Sequence, residues 1–189
     1  MKRFFTICTI TLLSCGIVFA SADELSQQAT AFYSDNNRTK TMDLILQINE
    51  KERTAQDWLI LGNVLADSGQ TDNAVFMYQK AISTDKKCYK AYYNLANYYA
   101  DKGMKNLAIQ NYKKAVDIKK DNAYIFYNLA CVYISMEDYK NARTYLNKAI
   151  AIKPDVPDFH YNLAYVYKKQ SNTKMAQTYI DNYNKLKQQ

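Results

Sequence analysis

The sequence predicts an all-α fold made by repeating one helix pair. Three observations predict it. Gly (4) and Pro (2) are scarce among 189 residues, while apolar residues make up 48%. That composition disfavours turn-rich β architectures and disorder. The phrases Tyr92-Tyr93-Asn94-Leu95-Ala96, Phe126-Tyr127-Asn128-Leu129-Ala130 and His160-Tyr161-Asn162-Leu163-Ala164 recur at a spacing of 34 residues. Within each copy, apolar residues fall at the i, i+3, i+4, i+7 spacing of one helix face.

The first segment, residues 1–22, reads as a signal peptide. Met1-Lys2-Arg3 is basic, Phe4 to Phe19 is apolar, and Ala20-Ser21-Ala22 supplies small residues before a cut after Ala22. Val18-Phe19-Ala20 offers a second cut, after Ala20. An uncleaved membrane anchor is disfavoured, because the run is shorter than the ~20 residues of a span. Leu12-Leu13-Ser14-Cys15 resembles a bacterial lipobox, in which Cys15 would be acylated and hold the protein to a membrane. The apolar stretch after Cys15 favours simple export, to a periplasmic or secreted location. Loss of Lys2 and Arg3 lowers the net charge from +7 to +5. Cys88 and Cys131 then remain, more than one repeat apart, so free thiols are expected rather than a disulfide.

Residues 23–54 fit a degenerate N-terminal helical pair. Ala29, Tyr33, Met42 and Leu46 match positions 7, 11, 20 and 24 of a shortened copy, with Ser34-Asp35-Asn36-Asn37 as its turn. Thr54-Ala55-Gln56-Asp57 reads as a capping box that opens the regular array.

Four units follow, 55–88, 89–122, 123–156 and 157–189. Position 4 of each is Trp58, Tyr92, Phe126, His160. Position 7 is always Leu, and position 8 is Gly62, Ala96, Ala130, Ala164. A small residue there lets a neighbouring helix approach. The second stripe runs through position 20, which is always Ala, position 24 (Tyr78, Tyr112, Leu146, Ile180) and position 27 (Ala81, Ala115, Ala149, Tyr183). Gly69 and Gly103 at position 15 fit a left-handed residue that ends the first helix. Glu137 and Ser171 hold that place later, at a cost of up to ~1 kcal/mol each. Pro154 and Pro157 mark the joint between the last two units. The final helix, with Met175, Tyr179, Ile180, Tyr183 and Leu186, is expected to cap the open end.

The 34-residue pattern over 55–189 resembles the tetratricopeptide repeat (TPR) family. The resemblance implies a right-handed superhelical solenoid of antiparallel helix pairs that binds proteins or peptides in its concave groove. It also implies groove positions on the first helix of each unit. Position 5 gives Leu59, Tyr93, Tyr127, Tyr161; position 6 gives Ile60, Asn94, Asn128, Asn162; position 9 gives Asn63, Asn97, Cys131, Tyr165. The candidate peptide-groove residues are therefore Tyr93, Asn94, Asn97, Tyr127, Asn128, Cys131, Tyr161, Asn162 and Tyr165. The tyrosines are expected to face the groove. The asparagines are open between ligand contact and bonding between helices. The family's clamp for C-terminal carboxylates is not matched. Its five slots hold Leu59, Asn63, Asn94, Tyr124 and Asn128, and its cations are missing.

The remaining residues point away from chemistry. One His and dispersed Cys leave no metal site and no cofactor to expect. His160 at an aromatic position reads as a packed ring, and no nucleophile–base–orienter set can be assembled, so no catalytic residues are assigned. Asp67, Asp72 and Asp101 flank turns and read as caps. Lys80, Lys114 and Lys148 at position 26 form a basic stripe read as a solvated outer face. Nucleic acid is not expected as a partner, because export removes the opportunity and arginines are few. The sequence thus predicts a non-catalytic protein-interaction scaffold, exported to the cell envelope. The alternatives are a lipid-anchored TPR factor that assembles a pilus or outer-membrane complex, and a regulatory subunit of a separate enzyme.

Overall fold

The computed structural model describes residues 20–188. Cys8, Cys15 and most of the expected signal segment lie outside them. Ten α-helices follow in order: α1 Ala22–Ser34, α2 Arg38–Gln47, α3 Ala55–Asp67, α4 Thr71–Thr84, α5 Tyr89–Asp101, α6 Lys105–Ile118, α7 Ala123–Ser135, α8 Tyr139–Ile152, α9 Pro157–Lys169 and α10 Thr173–Lys187. Each odd helix pairs with the even helix after it. Each pair then packs against the next, through α1 and α2 with α3, α4 with α5, α6 with α7 and α8 with α9. The result is the expected all-α solenoid of helix pairs. No described helix is long and apolar enough to cross a membrane.

Both stripes are buried as their spacing predicts. Leu95, Leu129 and Leu163 at position 7 and Ala74, Ala108 and Ala142 at position 20 lie in the core. Gly62 belongs there for space, since a Cβ on it would overlap the Tyr78 ring. The expected capping box is formed. The Thr54 backbone N–H donates to Asp57 Oδ2 at 2.7 Å, and the Asp57 N–H donates to Thr54 Oγ1 at 3.2 Å. Ser26 of α1 adds a hydroxyl donor to Asp57 Oδ1 at 2.6 Å. This fully buried carboxylate therefore also ties the N-terminal pair to the regular array. Pro157 occupies the first turn of α9, where it leaves no helical acceptor unsatisfied.

The N-terminal pair is present, but its register differs from the expectation by one residue. Its left-handed turn residue is Asn36, 33 residues before Gly69, whereas the later turns are 34 apart. Counted from that turn, Ala29 takes position 8. Thr41, Ile45 and Ile48 then take positions 20, 24 and 27, and all three are buried. Leu46, expected in the core, is 55% exposed. The one-residue deletion shifts the stripe, and α2 is a turn shorter than α4, as a shortened copy requires. Helix α1 begins at Ala22 rather than after it. Ser21 caps it, accepting from the Glu24 N–H at 3.2 Å.

The three aspartates expected as caps are not caps. The N-caps of α4 and α6 are Gln70 and Met104, neither with a side-chain capping bond. Asp67 and Asp101 instead end α3 and α5.

Position 15 adopts positive φ in every unit: +80° at Gly69, +72° at Gly103, +59° at Glu137 and +60° at Ser171. The Cβ at Glu137 and Ser171 strains that conformation. Glu137→Gly is expected to raise unfolding stability by about 0.5–1 kcal/mol, and Gly103→Glu to lower it similarly, read from urea midpoints. An unchanged midpoint in both would contradict the strain.

Candidate functional site

The inner face of the solenoid is built by the odd helices. The recurrent Tyr-Asn-Leu wording places Leu in the core and Asn at the edge of the next helix. There the asparagines form a ladder. Asn94 Nδ2 donates to Asn63 Oδ1 at 2.7 Å. Asn128 Nδ2 donates to Tyr93 Oη at 2.9 Å and to Asn97 Oδ1 at 3.2 Å. Asn162 Nδ2 donates to Tyr127 Oη at 3.1 Å and reaches Cys131 Sγ at 3.5 Å. Position 6 of one unit thus bonds position 9 of the unit before it, and at Asn128 and Asn162 also the position 5 tyrosine. Tyr78 and Tyr112 complete the rungs from the even helices, donating to Asn63 and Asn97. The nitrogen ends of the asparagines therefore bond between helices, one of the two options left open by the sequence.

Two of the three position 5 tyrosines are less exposed than expected. Tyr93 and Tyr127 are half-buried rather than free in the groove. Tyr93 packs against Tyr112, centroids 6.0 Å apart, and Tyr127 against Phe159 at 4.8 Å. Their hydroxyls are occupied by the next unit. Tyr161 and Tyr165, in the last described unit, are 51% and 39% exposed. Tyr183 lies beside Tyr161 at 5.3 Å, so the last helix covers part of that end. Leu59 and Ile60, groove positions by resemblance, are buried in a cluster that includes Ala29, Leu44 and Ile45. In their place Tyr33 accepts from Asn63 Nδ2 at 3.1 Å. Only the packing of the irregular N-terminal pair reveals that substitution.

Two cavities open along this wall. One of about 480 Å³ lies between the second and third units, bounded by Asn97, Asp101, Lys105, Asn128, Cys131 and Ser135. The other, about 300 Å³, adjoins it toward the N-terminus and includes Asn63, Asp67, Asn94, Tyr98 and Asp101. Polar staples fix their rims. Arg38 pairs with Asp67 at 2.9 Å, Tyr98 donates to Asp72 at 2.7 Å, and Lys105 donates to the Ser135 carbonyl at 2.6 Å. Burial pushes the Cys131 thiol up, which disfavours its thiolate. Cys88 and Cys131 are both free.

The outer face is organised by the same periodicity. Lys80 Nζ lies 5.8 Å from the Trp58 ring centre and Lys148 Nζ 5.6 Å from that of Phe126. These position 26 lysines sit over the position 4 rings of their own units, at cation–π distance. His160 is the packed ring expected. Its Nε2 lies 2.7 Å from the Pro154 carbonyl, so the proton sits on Nε2, while Nδ1 is buried without a partner. No cluster of three or more metal-ligating side chains exists among the described residues.

Comparison with known proteins agrees with this architecture. Residues 58–88 match a family model described as a tetratricopeptide repeat, and residues 98–136 and 131–171 match one described as a TPR repeat. No curated protein matches the sequence. Among solved structures, a crystal structure of the protein MamA shares 19% identity and a TM-score of 0.76, covering 88% of this chain and 92% of that one. A MamA RS-1 double mutant shares 16% identity and a TM-score of 0.77, with 88% and 94% covered. At those identities the likeness is one of fold.

Two outcomes follow from the ladder. Asn128→Ala is expected to cost about 1–3 kcal/mol, because it removes two interhelical bonds and leaves their partners partly buried. The exposed Asn106→Ala should cost under about 0.5 kcal/mol in the same denaturation assay. Burial also raises Tyr78 to about 12, and raises Tyr112 and Tyr127. A tyrosine whose folded value is raised keeps its stabilising effect below its unfolded value of about 10 and loses it as pH climbs. Unfolding is therefore expected as pH rises from about 10 through about 12, and Tyr78→Phe should make that loss shallower.

Proposed function

This chain belongs to the tetratricopeptide-repeat family, whose models match more than half of it, and on that premise we propose that it is a non-catalytic scaffold. It binds a polypeptide segment along the concave wall. The observation that carries this reading is the pair of adjoining cavities on that wall. They lie where the family resemblance places ligand contacts, and they are bounded by side chains already held rigid by the ladder. Such preorganisation lowers the entropy lost on binding. The contact residues we assign are Asn94, Asn97, Asn128 and Cys131 at the cavities, with Tyr161, Asn162 and Tyr165 at the C-terminal end. Tyr93 and Tyr127 act mainly by positioning the asparagines.

Export to the cell envelope belongs to the same proposal and rests on the three-part pattern of residues 1–22. A cut after Ala20 would keep the Ser21 cap of α1, whereas a cut after Ala22 would delete it. The Leu12-Leu13-Ser14-Cys15 sequence supports a second reading, in which a lipid on Cys15 holds the scaffold on a membrane as part of an assembly machine.

Ser135 is exposed and borders the larger cavity, so Ser135→Trp should fill that cavity without disturbing the core. Crosslinked affinity capture from native envelope extract is expected to recover a protein with the wild type and lose it with the folded variant. Equal capture by both would remove the groove from the proposal. An intact mass that begins at Ser21 or Asp23 without acyl chains would support export and exclude the lipid anchor.

A further inference from the structure

The ladder leaves its asparagines chemically one-sided. The Nδ2 groups of Asn94 and Asn128 are committed to the preceding unit. Among the described residues their Oδ1 atoms have no hydrogen-bond partner, and His160 Nδ1 is the only buried side-chain polar atom without one. The two amide oxygens are therefore open to solvent, and both residues line the cavities. The wall presents acceptors. A helical ligand has spent its backbone N–H groups internally, whereas an extended chain has them free to donate.

Asp101 adds charge to the same place. It is the last residue of α5 and borders both cavities. A carboxylate at a helix C-terminus opposes the helix dipole, and the last turn of α5 holds no basic residue. The neighbouring charged side chains have partners other than Asp101. Asp67 pairs with Arg38 at 2.9 Å, Asp72 accepts from Tyr98 at 2.7 Å, and Lys105 donates to the Ser135 carbonyl at 2.6 Å. Lys102 lies over the Tyr98 ring at 5.6 Å. Asp101 carries no hydrogen bond or ion pair among the described residues and is exposed to the groove. Its own helix gains nothing from it.

We infer that Asp101 determines the specificity of the groove, taking the cationic head of a Lys or Arg in an extended polypeptide whose backbone N–H groups face the oxygens of Asn94 and Asn128. The inference deepens the groove reading and rests on it. The Asp101 carboxylate sits at the shared wall of the two cavities, so one basic side chain can enter while the backbone continues past both asparagines.

The test uses random-sequence peptides displayed on phage and selected on the purified full chain. The selected pool is expected to be enriched in Lys or Arg at one position. A peptide from it should bind Asp101→Asn about fivefold more weakly than wild type, within the range of a partly exposed ion pair. Its affinity for wild type should fall between roughly 50 and 300 mM salt, and less so for the variant. Circular dichroism checks that both proteins are folded. A pool without basic enrichment, or basic peptides that bind Asp101→Asn with wild-type affinity, overturns the inference. If such peptides are still lost with Ser135→Trp, the groove reading survives without it. Peptides that bind Ser135→Trp normally, or no selected peptide at all, overturn both.

Discussion

A helix pair in this protein carries two apolar stripes and cannot cover both by itself. One stripe closes inside the pair, and the other is left for the next pair to cover. Everything else follows from that constraint. The small residues at positions 8, 20 and 27 exist so that neighbouring helices can come close. Stability is shared between neighbours rather than held in any unit, as in other solenoids. The first and last described pairs depart from the regular pattern. At the N-terminus a shortened pair is fastened by Ser26 and Asp57. At the C-terminus Tyr183 replaces the usual small residue and lies against Tyr161.

Stacking also decides what the polar residues can do. Once apolar contact sets the distance between odd helices, an Asn at position 6 falls within bonding range of position 9 on the helix before it, and of the position 5 hydroxyl where that residue is Tyr. The ladder is a consequence of packing, and it makes the concave wall rigid. Each amide then holds the scaffold with its nitrogen. At Asn94 and Asn128 the oxygen is left toward the cavities. One side chain thus divides its two ends between the scaffold and the cavity. The outer face shows the same economy of position, with lysines laid over the rings of their own repeats.

Much of this architecture was legible in the sequence. The 34-residue recurrence identified the four regular units, and helix spacing identified their buried faces. Thr54 and Asp57 announced the capping box, and the glycines at position 15 announced the left-handed turns. These features depend on local backbone geometry and on one period, so a linear text carries them. The N-terminal pair was legible as a pair but misread by one residue, because a deletion breaks the period and propensity alone does not restore the register. Asp67, Asp72 and Asp101 were misread as caps, because proximity to a turn does not say which side of it a carboxylate serves.

The sequence by itself determined the repeat, the alternation of stripes and the kind of fold, since a period of 34 residues at helical spacing admits little else. The tertiary structure decided where the wall is accessible. Leu59 and Ile60 occupy groove positions by pattern yet are buried, because the irregular pair before them packs over them. Tyr93 and Tyr127 occupy the same position as Tyr161 yet are half-buried, because the next unit packs and bonds on them, whereas Tyr161 meets Tyr183 of its own unit. Exposure depends on which neighbour is present in space, and no residue carries that information alone. The direction of each asparagine amide is likewise set by a partner about 31 or 35 residues away, at a distance that only the stacked helices close.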